Sequence, residues 1–136
     1  MAQPTSAREF LKVAYRRLEV AEFLLRNRYR HDAVYLAGYA IECALKAVIL
    51  GRTSDADHAE TLARITRGAT VHTYEGLRPF LKAVGVKVPA PLASRLRKTF
   101  WKTELRYESN IPKAGHAKFV IRTATAACDW VDGELT

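Results

Sequence analysis

The sequence predicts an all-α fold: an up-and-down helical bundle of four main helices with one or two short ones. Three observations carry that expectation. The longest apolar run, AVYLAGYAIECALKAVIL from Ala33 to Leu50, is nearly uninterrupted round the helical circumference, as in a helix buried among others. Apolar residues elsewhere recur every three or four positions, the period of one helix face. No stretch reads convincingly as a strand, and there are no internal repeats or low-complexity tracts.

Pro4, Thr5 and Ser6 supply a helix start. The first helix runs to about Arg28, with Phe10, Ala14, Leu18, Ala21 and Leu25 on one stripe and Arg16, Arg17, Arg26 and Arg28 on other faces. The polar break Asn27 to His31 is too short for a linker, so the central helix returns antiparallel. Its small residues, among them Ala37, Gly38 and Ala44, allow close packing, and Gly51 is placed to end it. Residues 52–72 are polar and peripheral in pattern: Ser54 or Asp55 caps a modest helix through Leu62 and Ile65 that ends near Gly68, and mobility is expected here most. Thr73 caps a short helix with Leu77, Phe80, Leu81 and Val84, which Pro79 kinks or confines and Gly85 stops. After an extended connector, a helix from Pro91 to about Tyr107 buries Leu92, Leu96, Phe100, Thr103 and Tyr107. Asn110 to Gly115 is a turn. The last helix, about Ala117 to Val131, turns Val120, Ile121, Ala124, Ala127, Cys128 and Val131 inward, and Phe119 and Trp130 widen its apolar band toward a partner subunit.

With 136 residues the chain reads as one domain spanning 1–136, long enough to bury a substantial core. Its composition, 49% hydrophobic and 26% charged, is that of a soluble globular protein. The net charge of +8 favours an acidic partner, whether nucleic acid, nucleotide, acidic protein or anionic surface, without choosing among them. Cys43 and Cys128 sit in apolar helical patterns and read as buried thiols, and no Cys/His spacing supports a metal site. The N-terminus lacks a signal-peptide pattern, and Glu42 and Lys46 would fall near the middle of any membrane span formed by the central helix. The expectation is a cytoplasmic protein with no membrane partner and no cofactor.

Two charged constellations stand out. Glu42 and Lys46, at i and i+4 in the favourable order, either form an ion pair on a thin exposed stripe or face a groove or partner. Arg95, Lys98, Lys102 and Arg106 fall within about a quarter turn of one helix, by the 100° step. Such a stripe is either a solvated face or a phosphate-binding one. Arg106 is the best single phosphate contact, because a guanidinium binds a phosphate in two places. Its alternative is a salt bridge to Glu42, Glu104 or Glu108. Tyr107 packs in the core with its hydroxyl at the edge. His72, just before a helix, serves as a cap or packed side chain, or as a phosphate donor or general acid–base.

The run A-x-Y-L-A-G-Y-A-x-E-x-A-L-K-A from Ala33 to Ala47 resembles the second helix of HEPN domains (higher eukaryotes and prokaryotes nucleotide-binding). Arg28, Tyr29, His31 and Asp32 before that helix, Val71-His72-Thr73 followed by Leu77, Arg106-Tyr107 and Trp130 agree with the family in order. The resemblance implies a helical bundle, usually dimeric. It also implies relatives that are ribonucleases of toxin–antitoxin and phage-defence systems, often encoded beside a small nucleotidyltransferase. Catalytic members carry Arg-x4-6-His near the start of a late helix, shared by two subunits in one cleft, and need no metal. The arginine would stabilise charge on the scissile phosphate while the histidine moves a proton.

This chain departs from that motif. After Arg106 the next histidine is His116, too far along; the spacing itself occurs at Arg26–His31, Arg52–His58 and Arg67–His72, none on a late helix. Three readings follow. The first is a non-catalytic or weakly catalytic module, a homodimer that binds RNA or a nucleotide, or a nucleotidyltransferase partner. Its contacts would come from Arg95, Lys98, Lys102, Arg106, Glu42, Lys46 and Tyr107. The second is a metal-independent ribonuclease toxin using Arg106 and His72. The third is a dimeric interaction scaffold. Enzyme status stays open at this level.

Overall fold

The structure is a computed structural model that describes residues 4–99 and 112–136. Among these residues it is an all-α bundle built on three long helices. Helix α1 spans Ala7–Arg26, α2 Arg30–Arg52 and α6 Ala114–Leu135. Three short helices lie between: α3 (His58–Thr66), α4 (Tyr74–Ala83) and α5 (Ala90–Lys98).

Ser6 starts α1 as expected: its hydroxyl accepts the Glu9 amide at 3.2 Å, satisfying an otherwise orphaned donor. The helix ends in a Schellman turn. Tyr29 N–H donates to the Leu24 carbonyl at 2.8 Å and Arg28 N–H to Leu25 at 3.1 Å. Arg28 therefore takes a left-handed conformation, φ 68°, at a position that glycine usually fills. The turn is so tight that α2 must return antiparallel along α1.

Helix α2 is the hub, packing against α1, α6, α4 and α3. Every residue from Ala40 to Leu50 is buried. It is long and apolar enough to cross a membrane by length and composition, with mean hydropathy 1.7, yet 83% of that window is buried inside the protein. Gly51 does not end it. The helix continues to Arg52 and stops at Thr53, whose hydroxyl donates to the Ile49 carbonyl. A Cβ at Gly51 would run into the Leu135 side chain, so the small residue serves helix contact rather than termination.

That contact, with the Arg52–Glu134 ion pair beside it, brings the C-terminal ends of α2 and α6 together. Helix α6 thus runs parallel to α2 and antiparallel to α1, to which the Tyr15 hydroxyl ties it by donating to Asp129 at 2.8 Å. The six inward residues expected on α6 are all buried, and Ala117 and Thr123 join them. Phe119 and Trp130 are half-buried.

Residues 52–72 are better anchored than their polarity suggested. Ser54 caps a short 3-10 turn, His58 Nε2 lies 2.8 Å from the Thr5 carbonyl oxygen, and Ile65 and Val71 are in the core. Thr73 caps α4 through the Gly76 amide at 3.0 Å. Helix α4 continues through Pro79, which lies on the exposed side while Leu77 and Leu81 hold the other face in the core. It closes at Gly85, φ 72°, in a second Schellman turn with Val86 N–H on the Leu81 carbonyl at 2.9 Å.

The largest departure is α5. The sequence predicted one helix to about Tyr107, but it stops at Lys98. Thr99 is extended (φ −91°, ψ 111°), its hydroxyl donates to the Leu96 carbonyl at 2.9 Å and its amide to the Arg95 carbonyl at 3.1 Å. A buried β-branched residue that bonds the preceding carbonyls competes with helix continuation.

Candidate nucleotide- or RNA-binding module

At the centre of α2, Glu42 and Lys46 are 6% and 4% exposed. One carboxylate oxygen, Glu42 Oε2, accepts from Lys46 Nζ at 2.7 Å and from His72 Nδ1 at 3.1 Å. The helix spacing forms the first contact, while the cap at Thr73 sets the chain entering α4 and so brings His72 over α2. The pair is therefore no exposed stripe, and in this chain it is shut from solvent; His72, with 35% of its side chain exposed, is the member that reaches the surface. A buried carboxylate is tolerable only when paired and hydrogen-bonded, and two donors on one oxygen meet that need.

Around this network lie groups that burial keeps neutral. The Cys43 thiol is pushed up to about 12, by burial first and then by the Glu42 charge. Burial, followed by the neighbouring Cys43, raises the Tyr39 phenol, and the Arg17 guanidinium sits 5.7 Å from the Tyr39 ring centre. On α6, burial raises Cys128 to about 12, and on α1 burial, followed by the hydrogen bond to Asp129 of α6, raises the Tyr15 phenol.

Of the basic stripe, Arg95 and Lys98 lie on α5, which ends at Lys98. Arg95 is committed to α6: its Nε donates to Thr123 Oγ1 at 3.1 Å and its guanidinium lies 4.7 Å from the Phe119 ring centre. Lys98 is exposed. Lys102, Arg106 and Tyr107 lie outside the described residues, so the Arg106–His72 pairing has no geometry here. Among the described residues no group of three His, Cys, Asp or Glu side chains is placed to hold a metal.

A second basic feature escaped the sequence reading. Between α4, its connector and α5 is a cleft of about 410 Å³ lined by Arg78, Lys82, Lys87 and Arg97. These residues sit on different elements, so no single helical stripe announces them.

A family model for the HEPN domain matches residues 7–134, nearly the whole chain. The chain belongs to the HEPN domain family. Membership suggests a nucleotide- or RNA-binding or ribonuclease-like function. Neither the curated proteins nor the solved structures contain a significant match. Within the HEPN frame, the family-like helix Ala33–Ala47 is the bundle's hub, and its Glu42, paired with Lys46, holds the histidine that precedes α4.

Proposed function

We propose that this HEPN domain is a non-catalytic or weakly catalytic binding module for RNA or nucleotide. It would act as a cytoplasmic homodimer beside a nucleotidyltransferase, in a toxin–antitoxin or defence setting. The observation that carries the reading is the surface charge: a chain of net charge +8 whose arginines and lysines form only two surface ion pairs among the described residues, Arg52–Glu134 and Arg78–Glu75. Uncompensated cations favour a polyanion. His72 supports the non-catalytic side of the reading, because its imidazole ties α4 to the buried Glu42.

One observation favours the ribonuclease alternative. An imidazole oriented by a carboxylate at Nδ1 keeps Nε2 for proton transfer, the arrangement that general acid–base chemistry requires.

The deciding experiment pairs an RNA-cleavage assay with a binding assay at two salt concentrations, on the wild type, Arg106→Ala and His72→Ala. The expected result is binding that weakens steeply with salt, without cleavage. Cleavage abolished by either substitution would replace this reading with the nuclease. Failure to bind any nucleic acid or nucleotide would leave the dimeric scaffold.

A further inference from the structure

The cleft between α4 and α5 differs in kind from a second surface hollow of similar size. The latter, about 430 Å³ on α1, sets Arg8, Lys12 and Arg16 against the carboxylates of Glu19 and Asp132. The α4–α5 cleft is lined by four cations and, among the described residues, by no carboxylate, over a floor that includes buried Leu81 and Val86. Arg78 and Lys82 stand at i and i+4 on one helix face, a like-charge spacing that weakens a helix unless an anion intervenes. Glu75, 3.0 Å from Arg78, offsets part of that charge. Lys82, Lys87 and Arg97 form no ion pair among the described residues. Cations in the last turn of a helix complement its dipole, which accounts for Lys82 and Arg97. Lys87 is on the connector, where no helix end calls for it.

From this arrangement we infer that the α4–α5 cleft is a phosphate-binding site in which Lys82, Lys87 and Arg97 engage consecutive phosphates. Arg78 closes one side. The inference rests on the RNA- or nucleotide-binding reading and deepens it by naming where the phosphates sit. The shared ligand chemistry is a nucleoside phosphate, either free or as part of a single RNA strand.

The test measures fluorescence anisotropy of a short labelled oligouridylate, with ATP as competitor, across a salt series. Three proteins are compared: wild type, Lys82→Glu with Lys87→Glu, and Arg8→Glu with Lys12→Glu. The last makes the same charge change at the other hollow, and all four positions are exposed, so folding is checked simply by circular dichroism. The expected result for the α4–α5 variant is a loss of affinity of about tenfold or more, and a salt slope reduced by about 1.4, the amount expected for two lost phosphate contacts on a single strand. The α1 variant should lose less than about threefold, through net charge alone. Displacement by ATP would identify a free nucleotide as the ligand, and RNA binding indifferent to ATP would identify the strand backbone; both uphold the site. Equal losses in the two variants, or an unchanged α4–α5 variant, would overturn the site while leaving the binding function standing. A wild type that binds neither probe would overturn both.

Discussion

Glu42–Lys46 and Arg52–Glu134 are the same chemistry in opposite surroundings. The first pair has side chains 8% and 5% exposed and a separation of 2.7 Å; the second has side chains 42% and 36% exposed in Arg52 and Glu134, at 3.4 Å. In water such a pair contributes little, because solvent screens it and two long side chains must be held still. Inside the bundle neither partner has water to fall back on, so each depends on the other. The buried pair also has a second donor, His72, which the surface pair lacks. The buried pair at the middle of α2 is therefore an obligation rather than a bonus. It specifies which way α2 faces and where the chain enters α4.

The strongest way to break that contrast is Lys46→Ala, which leaves Glu42 buried with half its compensation. Denaturant unfolding should show a loss of about 3–5 kcal/mol. The double variant Glu42→Leu with Lys46→Met should recover most of it, since apolar replacements of similar volume remove the obligation. A double variant as unstable as Lys46→Ala would mean that the pair contributes net stability.

Alkali attacks the same interior through the thiols. Cys43 and Cys128 have folded values near 12 against about 9 for a free thiol, both raised by burial. A folded value above the unfolded one means stability fully present below pH 9 and lost as pH rises toward 12. Unfolding midpoints measured across that window should fall steadily, and at pH 8 thiol reagents should label the chain only as fast as it opens. Rapid labelling of the folded chain would contradict the burial.

His72→Ala should cost about 1–2 kcal/mol, between the extremes, because it removes one of two donors to a buried oxygen at a half-exposed position. The smallest effect is expected for Arg52→Ala, at or below about 1 kcal/mol, and it should vanish at high salt. Salt should leave the Lys46→Ala loss nearly unchanged. If both losses responded to salt alike, the distinction between the two pairs would collapse.

Much of the bundle was legible in the sequence because helical periodicity reports burial directly. Ala33–Leu50, the inward face of α6, and the stops and caps at Ser6, Thr73 and Gly85 all follow from local rules. What local rules could not supply was contact between distant elements. Gly51 looks like a helix stop until Leu135 occupies the space beside it. The hold of Thr123 and Phe119 on Arg95 comes from α6 and could not be read from Arg95's own helix. The helix that seemed to run to Tyr107 halts at Lys98, where Thr99 turns extended and its hydroxyl bonds the Leu96 carbonyl. The Glu42–Lys46 spacing was visible, but His72, thirty residues along, joins only once α4 docks. The α4–α5 cleft was hidden for the same reason, its cations being scattered over three elements.

The parallel run of α6 beside α2 has a kinetic side. The α1–α2 hairpin closes across a three-residue turn, Asn27 to Tyr29, so its contacts cost little chain entropy and are expected early. Docking of α6 closes the far longer stretch of chain that holds α3, α4 and α5, so it costs more chain entropy and is expected later. Truncations such as Ala21→Gly in the hairpin should therefore slow folding, whereas Val131→Ala on α6 should mainly hasten unfolding. Until α6 arrives, the nascent hairpin presents one of the most apolar surfaces in the molecule to whatever is near it, and the speed of that last docking sets how long the exposure lasts.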